Sequence, residues 1–160
     1  MKAAVIGSGV MGPGIAQAYA MAGMTVALHD ELESALQTGL DGIRDSLARF
    51  IRSGKLSSGE SAAVAARISA EPDLARSVGG ADLVTEAVPE VLATKQAVLR
   101  LAAERAPNAL LTTTTSHLTV GAIAEGFPEA AARFLAMKYV PPVVMMKLVE
   151  IVRGPRPPGN

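Results

Sequence analysis

The sequence predicts an α/β fold: a doubly wound, mainly parallel sheet with a helical hairpin insertion. Three observations support this prediction. Short apolar runs alternate with longer amphipathic segments along the 160 residues, and strands joined by crossover helices have this pattern. The first apolar run ends in a glycine-rich turn. A long pair of helical segments stands where a single short crossover helix would be enough.

Composition narrows the class of protein further. A chain of 160 residues corresponds to about one domain, and its 49% hydrophobic and 19% charged residues argue against disorder. Fifteen Lys and Arg balance fifteen Asp and Glu, so no basic excess is available for nucleic acid or a membrane surface. Cysteine is absent and only two histidines are present, which disfavours a metal site. We therefore expect no metal, no nucleic-acid partner, no membrane association and a cytoplasmic location.

The chain opens with a predicted strand, helix and second strand. Lys2–Ile6 is a short apolar run that ends in glycines, as a buried strand does. Residues 15–22 predict a helix that ends at Gly23. Thr25–His29 predicts the second strand, with Asp30 at its end. Its last residue is expected to be a packed or half-exposed histidine, because no nucleophile accompanies it.

Residues 32–66 predict a pair of helices between the second and third strands. Apolar residues of the first helix recur at spacings of three and four, which marks one face of an amphipathic helix. Ser57 and Glu60 stand in the positions of a capping box and begin the second helix. Because the pair is longer than a crossover requires, we expect it to project from the body. The apolar positions are Leu36, Leu40, Ile43, Leu47 and Phe50.

The rest of the chain continues the alternation of strands and helices. Pro107 stops the predicted helix of residues 91–105, since proline lacks the N–H that a helix needs. Residues 1–153 are expected to form one domain, and the Pro- and Gly-rich residues 154–160 a tail. The predicted strands cover residues 67–69, 81–87, 109–113, 134–140 and 148–152, and the predicted helices cover residues 91–105 and 120–125.

A glycine-rich turn with the sequence Gly7-Ser8-Gly9-Val10-Met11-Gly12 follows the first strand, and Asp30 ends the next one. This arrangement is the dinucleotide-binding fingerprint of a Rossmann-type fold, in which glycines allow a tight turn, close approach to the pyrophosphate and close helix packing. The helix N-terminus offers free N–H groups to the phosphates. Asp30 would bind the adenosine ribose and repel a 2′-phosphate, so NAD is the predicted cofactor. The alternative is a glycine-rich turn beside a surface aspartate.

Four segments of the chain, the first of which contains the glycine-rich turn, carry a wider resemblance. They are residues 7–17, Glu86-Ala87-Val88-Pro89-Glu90, Leu118-Thr119-Val120, and Lys147-Leu148-Val149-Glu150 followed by Val152-Arg153-Gly154-Pro155. In these segments, and so along almost its whole length, the sequence resembles the 3-hydroxyacyl-CoA dehydrogenases. The resemblance implies an oxidoreductase of fatty acid metabolism that transfers a hydride between NAD and a 3-hydroxyacyl-CoA. It also matches the helical pair to the family's helical hairpin.

The resemblance also implies site residues. Glu90 and Lys95 would join the residues of the glycine turn and Asp30 as cofactor-binding residues, near the nicotinamide end. Ser116 would bind the 3-oxygen of the substrate. Glu150 would pair with the family's catalytic histidine, but that position, twelve residues earlier, is Lys138 in this sequence.

The sequence departs from the family pattern at the reacting corner. Besides Lys138, Pro141-Pro142 replaces Asn-Pro, and Thr114 replaces the Asn before the Thr-Ser pair. Burial would help a lysine to lose its proton and act as a base, whereas an ionised Glu150 would oppose that loss. Lys138 could instead polarise a carbonyl as a positive charge, or form an ion pair with Glu150 in an inactive site. His117 could supply an imidazole from another point of the backbone.

Family enzymes continue into a helical domain that closes the cleft, and the sequence stops where that domain would begin. We therefore expect a piece of a longer enzyme, a half-enzyme with a separate helical-domain partner, or a stand-alone module, and a homodimer is a further expectation. The leading prediction is an NAD-dependent 3-hydroxyacyl-CoA dehydrogenase-like oxidoreductase with an acyl-CoA substrate. The alternatives are a non-catalytic NAD-binding or assembly module, and a dehydrogenase of another 3-hydroxy acid.

Overall fold

Residues 1–154 are described by a computed structural model, and they form one seven-stranded sheet with helices packed on it. The strands are β1 (Lys2–Ile6), β2 (Thr25–His29), β3 (Ile68–Ala70), β4 (Leu83–Glu86), β5 (Leu110–Thr113), β6 (Phe134–Tyr139) and β7 (Val149–Arg153). The helices are α1 (Gly12–Met21), α2 (Glu33–Arg52), α3 (Ser58–Ala66), α4 (Leu74–Val78), α5 (Leu92–Arg105) and α6 (Val120–Ala124), with a 3-10 helix over Pro128–Arg133.

The strand order is β3-β2-β1-β4-β5-β6-β7. The first six strands are parallel, and β7 pairs antiparallel with β6. The order reverses between β1 and β4, so the loops after these strands diverge and leave a crevice at their carboxyl ends. The predicted doubly wound, mainly parallel sheet is confirmed.

Two apolar clusters lie on opposite faces of the sheet. Strand β1 supplies both, because Ala3 and Val5 belong to one cluster while Ala4 and Ile6 belong to the other. Successive side chains of a strand point to opposite faces, so a strand covered on both sides must be apolar throughout. This is why the opening run of the sequence is continuous rather than alternating.

Helices α2 and α3 pack against the body, which corrects the expected projection of the hairpin. Leu36, Ile43 and Leu47 of α2 and Val64 of α3 are buried in the same cluster as Ile15 of α1. The amphipathic face predicted from the spacing is the reason, since its apolar side chains gain by leaving water. The predicted capping box of α3 is present, and it fixes where the second helix begins.

Two short elements were not predicted: α4 and the 3-10 helix. Five or six residues span fewer than two helical turns and give a weak periodic pattern, and α6 is the one helix of this length that the sequence predicted. Helix α4 begins at a recognisable cap, because the Asp73 side chain accepts a hydrogen bond from the Arg76 N–H at 2.8 Å. The first residue of the predicted tail, Gly154, donates its N–H to the Phe134 carbonyl at 3.2 Å. The rest of that tail lies outside the described residues.

Strand β3 begins one residue later than predicted and α1 three residues earlier, with Pro13 in its first turn. Proline suits this position because the first helical N–H groups have no partner within the helix. None of the helices within residues 1–154 is long and apolar enough to cross a membrane.

Candidate cofactor and active site

A groove of about 720 Å³ opens at the carboxyl ends of β1, β2, β4 and β5. It runs from Asp30 after β2, past the glycine turn after β1, to Ser116 in the loop after β5. The predicted site residues that line it are Gly7, Gly9, Val10, Met11, Asp30, Glu90 and Ser116. The crevice required by the strand order therefore coincides with the fingerprint.

The three fingerprint glycines have different surroundings. Gly7 has φ of +105°, and a Cβ there would lie 2.6 Å from the Ala87 carbonyl oxygen. Gly12 is buried, and its Cβ would overlap the carbonyl of Gly7. Gly9 would meet no atom within 4 Å and lines the open groove. The first two glycines are thus needed by the fold, whereas Gly9 leaves space that a pyrophosphate can occupy.

Asp30 is held in place by two backbone amides. Its Oδ2 accepts a hydrogen bond from the Ser8 N–H at 2.8 Å, and its Oδ1 accepts one from the Leu32 N–H at 3.1 Å. A carboxylate can accept about four hydrogen bonds, so two ribose hydroxyls can still bind. This geometry, with the free space at Gly9, fits an adenine dinucleotide. Beside it, His29 is buried, as expected of a packed strand residue.

Glu90 organises the loop that carries Ser116. Its Oε1 accepts hydrogen bonds from the N–H groups of Ser116 and His117, both at 3.0 Å, and from the Thr115 hydroxyl. Its Oε2 lies 3.2 Å from Lys95 Nζ. Partial burial raises the pKa of Glu90, but the hydrogen bonds from Thr115 and the backbone and from Lys95 together lower it to about 2. The carboxylate is therefore a fixed anion that holds the loop.

Lys95 does not lie on the surface of the groove. Its side chain is completely buried, with Nζ 2.7 Å from Glu86 Oε1 and 3.1 Å from the Val88 carbonyl. Lys95 lies behind Glu90, which lines the groove, and its part in cofactor binding stays a prediction. Burial raises the pKa of Glu86 by more than Lys95 lowers it. Sequence reasoning missed Glu86 as a buried partner, although an acidic residue that ends an apolar strand was a signal.

The other two predicted catalytic residues face each other and are not among the residues that line this groove. Lys138 on β6 and Glu150 on β7 are directly opposite in the antiparallel pair, so their side chains share one face of the sheet. Both are exposed, and across residues 1–154 no ion pair joins them. Neither lines the groove that holds Ser116. The burial that would help Lys138 to act as a base is absent.

A second groove, of about 700 Å³, adjoins the first at the glycine turn. Gly9, Val10 and Met11 line both grooves. Helix α2 forms one wall, with Arg49 among its lining residues, and Pro141 with its neighbours forms another. The replacement of Asn-Pro by two prolines therefore falls on the wall of a cavity next to the cofactor groove.

Comparison with known proteins agrees with this geometry. Residues 2–158 match the family described as 3-hydroxyacyl-CoA dehydrogenase, NAD binding domain. The 3-hydroxyadipyl-CoA dehydrogenase of Escherichia coli K12 is 39% identical over 154 residues, which cover 94% of this chain and 32% of that protein. A probable 3-hydroxybutyryl-CoA dehydrogenase of Bacillus subtilis 168 is 36% identical over 151 residues, which cover 94% of this chain and 52% of that protein.

A solved structure of a related enzyme shows the same similarity. The (S)-3-hydroxybutyryl-CoA dehydrogenase from Ralstonia eutropha has a TM-score of 0.90 at 32% identity, over 96% of this chain and 54% of that chain. The chain thus spans about a third to about half the length of these relatives. The family predicted from the sequence is confirmed: this chain belongs to the NAD-binding domain family of the 3-hydroxyacyl-CoA dehydrogenases.

Proposed function

We propose that this chain binds NAD in the first groove and forms the cofactor half of a 3-hydroxyacyl-CoA dehydrogenase. The observation that carries the proposal is the layout of that groove. An oriented carboxylate, Asp30, lies at one end, the open glycine turn lies in the middle, and Ser116 lies at the other end. A dinucleotide needs these features in this order: a ribose acceptor, a pyrophosphate cradle and a reacting end.

The residues of the chain divide the work along the groove. Asp30 holds the adenosine ribose, and the turn at Gly9 with the N-terminus of α1 binds the pyrophosphate. NAD, when bound, supplies the acceptor or donor of the hydride. Ser116 donates a hydrogen bond to the 3-oxygen of the substrate. Glu90 holds the loop of Ser116 by accepting hydrogen bonds from its backbone N–H groups. Thr114 and Ser116 both line this end of the groove.

The second groove is the proposed site of the acyl-CoA. It joins the first groove at the glycine turn, beside the place proposed for the pyrophosphate. Its walls contain apolar side chains such as Val143 and hydroxyls such as Ser46, and Arg49 offers a guanidinium. A guanidinium suits the phosphates of coenzyme A, because its fork of N–H donors matches phosphate oxygens.

Lys138 and Glu150 are the proposed acid-base corner of the complete enzyme. An exposed lysine carries a positive charge that can polarise the 3-carbonyl during reduction. The reverse reaction also needs a base for the proton of the 3-hydroxyl. In the described residues Ser116 adjoins the exposed His117 and Glu90, and the pKa of Glu90, about 2, makes its carboxylate a weak base. A covering domain, from the same chain or a partner, would close this corner. Large apolar side chains exposed nearby, such as Leu148 at 64% and Ile151 at 59%, support such a cover.

A non-catalytic NAD-binding module is the second candidate function. It is favoured by one observation: the family's catalytic histidine is replaced by Lys138, which is exposed and forms no ion pair with Glu150 within residues 1–154. In this alternative the cofactor groove is kept and the chemistry is lost.

The deciding experiment is an NADH titration of the 160-residue chain by cofactor fluorescence, followed by addition of acetoacetyl-CoA. Binding of NADH and its steady oxidation support the dehydrogenase. Binding without oxidation, also after a helical domain of the family is supplied, supports the module.

Lys138→His in the two-domain protein is then expected to raise the rate of NADH oxidation. An unchanged rate with NADH still bound would show that this position does not limit the chemistry.

A further inference from the structure

His29 ends β2 beside Asp30, and its sequence context predicts only a packed or half-exposed strand residue. The residue is buried, at 3% exposed, yet it is one of the residues that line the cofactor groove. The two ring nitrogens of a neutral histidine have different roles, because one donates a hydrogen bond and the other accepts one. The hydrogen bonds of the ring assign those roles.

The Nδ1 atom of His29 lies 2.9 Å from the Glu71 carbonyl oxygen. A carbonyl oxygen can only accept a hydrogen bond, so Nδ1 must carry the hydrogen. In the neutral ring, Nε2 is then an acceptor with a free lone pair. Within residues 1–154, Nε2 has no hydrogen-bond partner and no buried side-chain nitrogen or oxygen lacks one. Nε2 therefore keeps some accessible surface, and the cavity that His29 lines is the cofactor groove.

The surroundings of His29 suit a purine base. Leu74, Ala87, Val88 and Val98 line the same groove, and such apolar side chains can cover the faces of a flat ring. Asp30, the next residue in sequence, is placed to hold the ribose that carries the base. The base of an adenosine bound at Asp30 therefore lies against this apolar part of the groove, with His29 at its end.

We propose that His29 Nε2 accepts a hydrogen bond from the exocyclic amino group of adenine and so selects adenine dinucleotides. The proposal rests on NAD binding in this groove and not on the dehydrogenase reaction. Hypoxanthine has a carbonyl oxygen where adenine has the amino group. Two acceptors would then face each other, and the hydrogen bond would be lost.

The test compares the Kd of NADH with the Kd of reduced nicotinamide hypoxanthine dinucleotide, by fluorescence at pH 8. The wild-type chain is expected to bind NADH about 10-fold more tightly, the effect of one hydrogen bond. In His29→Phe, which keeps a ring but has no acceptor, the two Kd values are expected to become equal within about twofold. Asp30→Ala is the matched control, since it weakens both dinucleotides and keeps their ratio.

Equal Kd values in the wild-type chain, or an unchanged ratio in His29→Phe, would overturn the proposal. Failure of the wild-type chain to bind either dinucleotide would instead overturn the cofactor assignment itself, so the two failures are distinct.

A second measurement uses the unchanged chain, because His29→Phe also removes the hydrogen bond to Glu71. Long-range proton-nitrogen NMR spectra resolve the ring nitrogens of the two histidines, and His117→Ala assigns them. Saturation with AMP is expected to shift the Nε2 resonance of His29, whereas inosine monophosphate leaves it near its free position. An Nε2 resonance that ignores AMP at saturation would show that no such hydrogen bond forms.

Discussion

The cofactor groove and the Lys138–Glu150 corner differ in how firmly the fold holds their charges. In the groove, Asp30 accepts hydrogen bonds from two backbone N–H groups, and Glu90 accepts them from three more besides its contact with Lys95. At the corner, both charged side chains are exposed and have no ion-pair partner in residues 1–154. The charges of the groove are held by contacts within this domain. The corner is only a pair of facing residues on two strands.

Cofactor binding and acid-base chemistry therefore have different structural requirements in this domain. A turn, a helix N-terminus and a few local hydrogen bonds are enough to orient groups that bind a dinucleotide. An acid-base pair needs burial and close neighbours to control its protons. Those conditions require a surface that covers β6 and β7. Substitutions in and around the groove should therefore change stability and binding more than substitutions at the corner.

Gly12→Val is expected to have the largest effect. The new side chain would overlap the Gly7 carbonyl, so the turn and the start of α1 must move. We expect a loss of about 5 kcal/mol in the free energy of unfolding, measured in urea, together with loss of NADH binding. The matched control is Gly9→Ala, whose Cβ meets no atom within 4 Å. It should keep stability within about 0.5 kcal/mol but weaken NADH binding at least about 10-fold. Equal stability of the two variants would contradict this account.

Lys95→Met is expected to cost about 4 kcal/mol, because it leaves Glu86 buried without its cation. Burial already raises the pKa of Glu86, so the unpaired carboxyl takes up a proton as the pH falls, and the loss of stability should shrink in acid. The double variant Glu86→Gln with Lys95→Met should recover most of the loss. A double variant no more stable than Lys95→Met alone would show that the pair is not coupled.

Asp30→Ala is expected to weaken NADH binding about 30-fold, which corresponds to about 2 kcal/mol for hydrogen bonds to a charged group. NADPH should lose less or gain, since the charge that repels the 2′-phosphate is removed. Glu31→Ala removes the adjacent carboxylate of the same groove and should leave NADH binding unchanged within about twofold. An equal loss in both variants would mean that Asp30 acts only through net charge.

Glu90 should make stability depend on pH in the acid range. Its pKa in the folded protein is about 2, below the ordinary value, so the stabilisation is complete above about pH 5 and is lost as the pH falls toward 2. The side chain is 34% exposed, so we expect roughly 1 kcal/mol after screening by solvent. The stability difference between wild type and Glu90→Gln should therefore shrink from pH 5 to pH 2. A constant difference would contradict the role of the charge.

Lys138→Ala and Glu150→Ala should have the smallest effects. Each is expected to change the free energy of unfolding by less than about 0.5 kcal/mol, and their coupling in a double-mutant cycle should be near zero. The comparison variant is Lys95→Met, which removes the buried lysine behind Glu90 and is expected to cost about 4 kcal/mol. A coupling above about 1 kcal/mol would show that the corner is organised within this domain, as the groove is.

Local patterns predicted much of the fold. The bounds of β1 and β2, the capping box at Ser57 and the glycine turn were readable because each depends on neighbouring residues. The packing of α2 against α1 was not, since the amphipathic face shows that a helix is covered but does not show by what. The fingerprint predicted the groove, because its spacing encodes a strand, a turn and a helix.

The charges of the site were harder to predict. Lys95 is a lysine of helix α5, and its complete burial follows from Glu86 and Glu90, which come from a strand and a loop. Only the tertiary structure brings those carboxylates together. The separation of Lys138 from the groove was also hidden, because a strand shows the alternation of its faces but not the cavity that each face meets.

Strand β7 has a practical consequence for handling the protein. It lies at the margin of the sheet, and its five residues are exposed. A margin of this kind carries unpaired backbone groups and, here, the apolar side chains of Ile151 and Val152, so it can template strand-to-strand aggregation. The solubility of the 160-residue chain should therefore be limited by this edge. Ile151→Lys, a charge on the open strand, should raise the concentration at which the protein stays in solution.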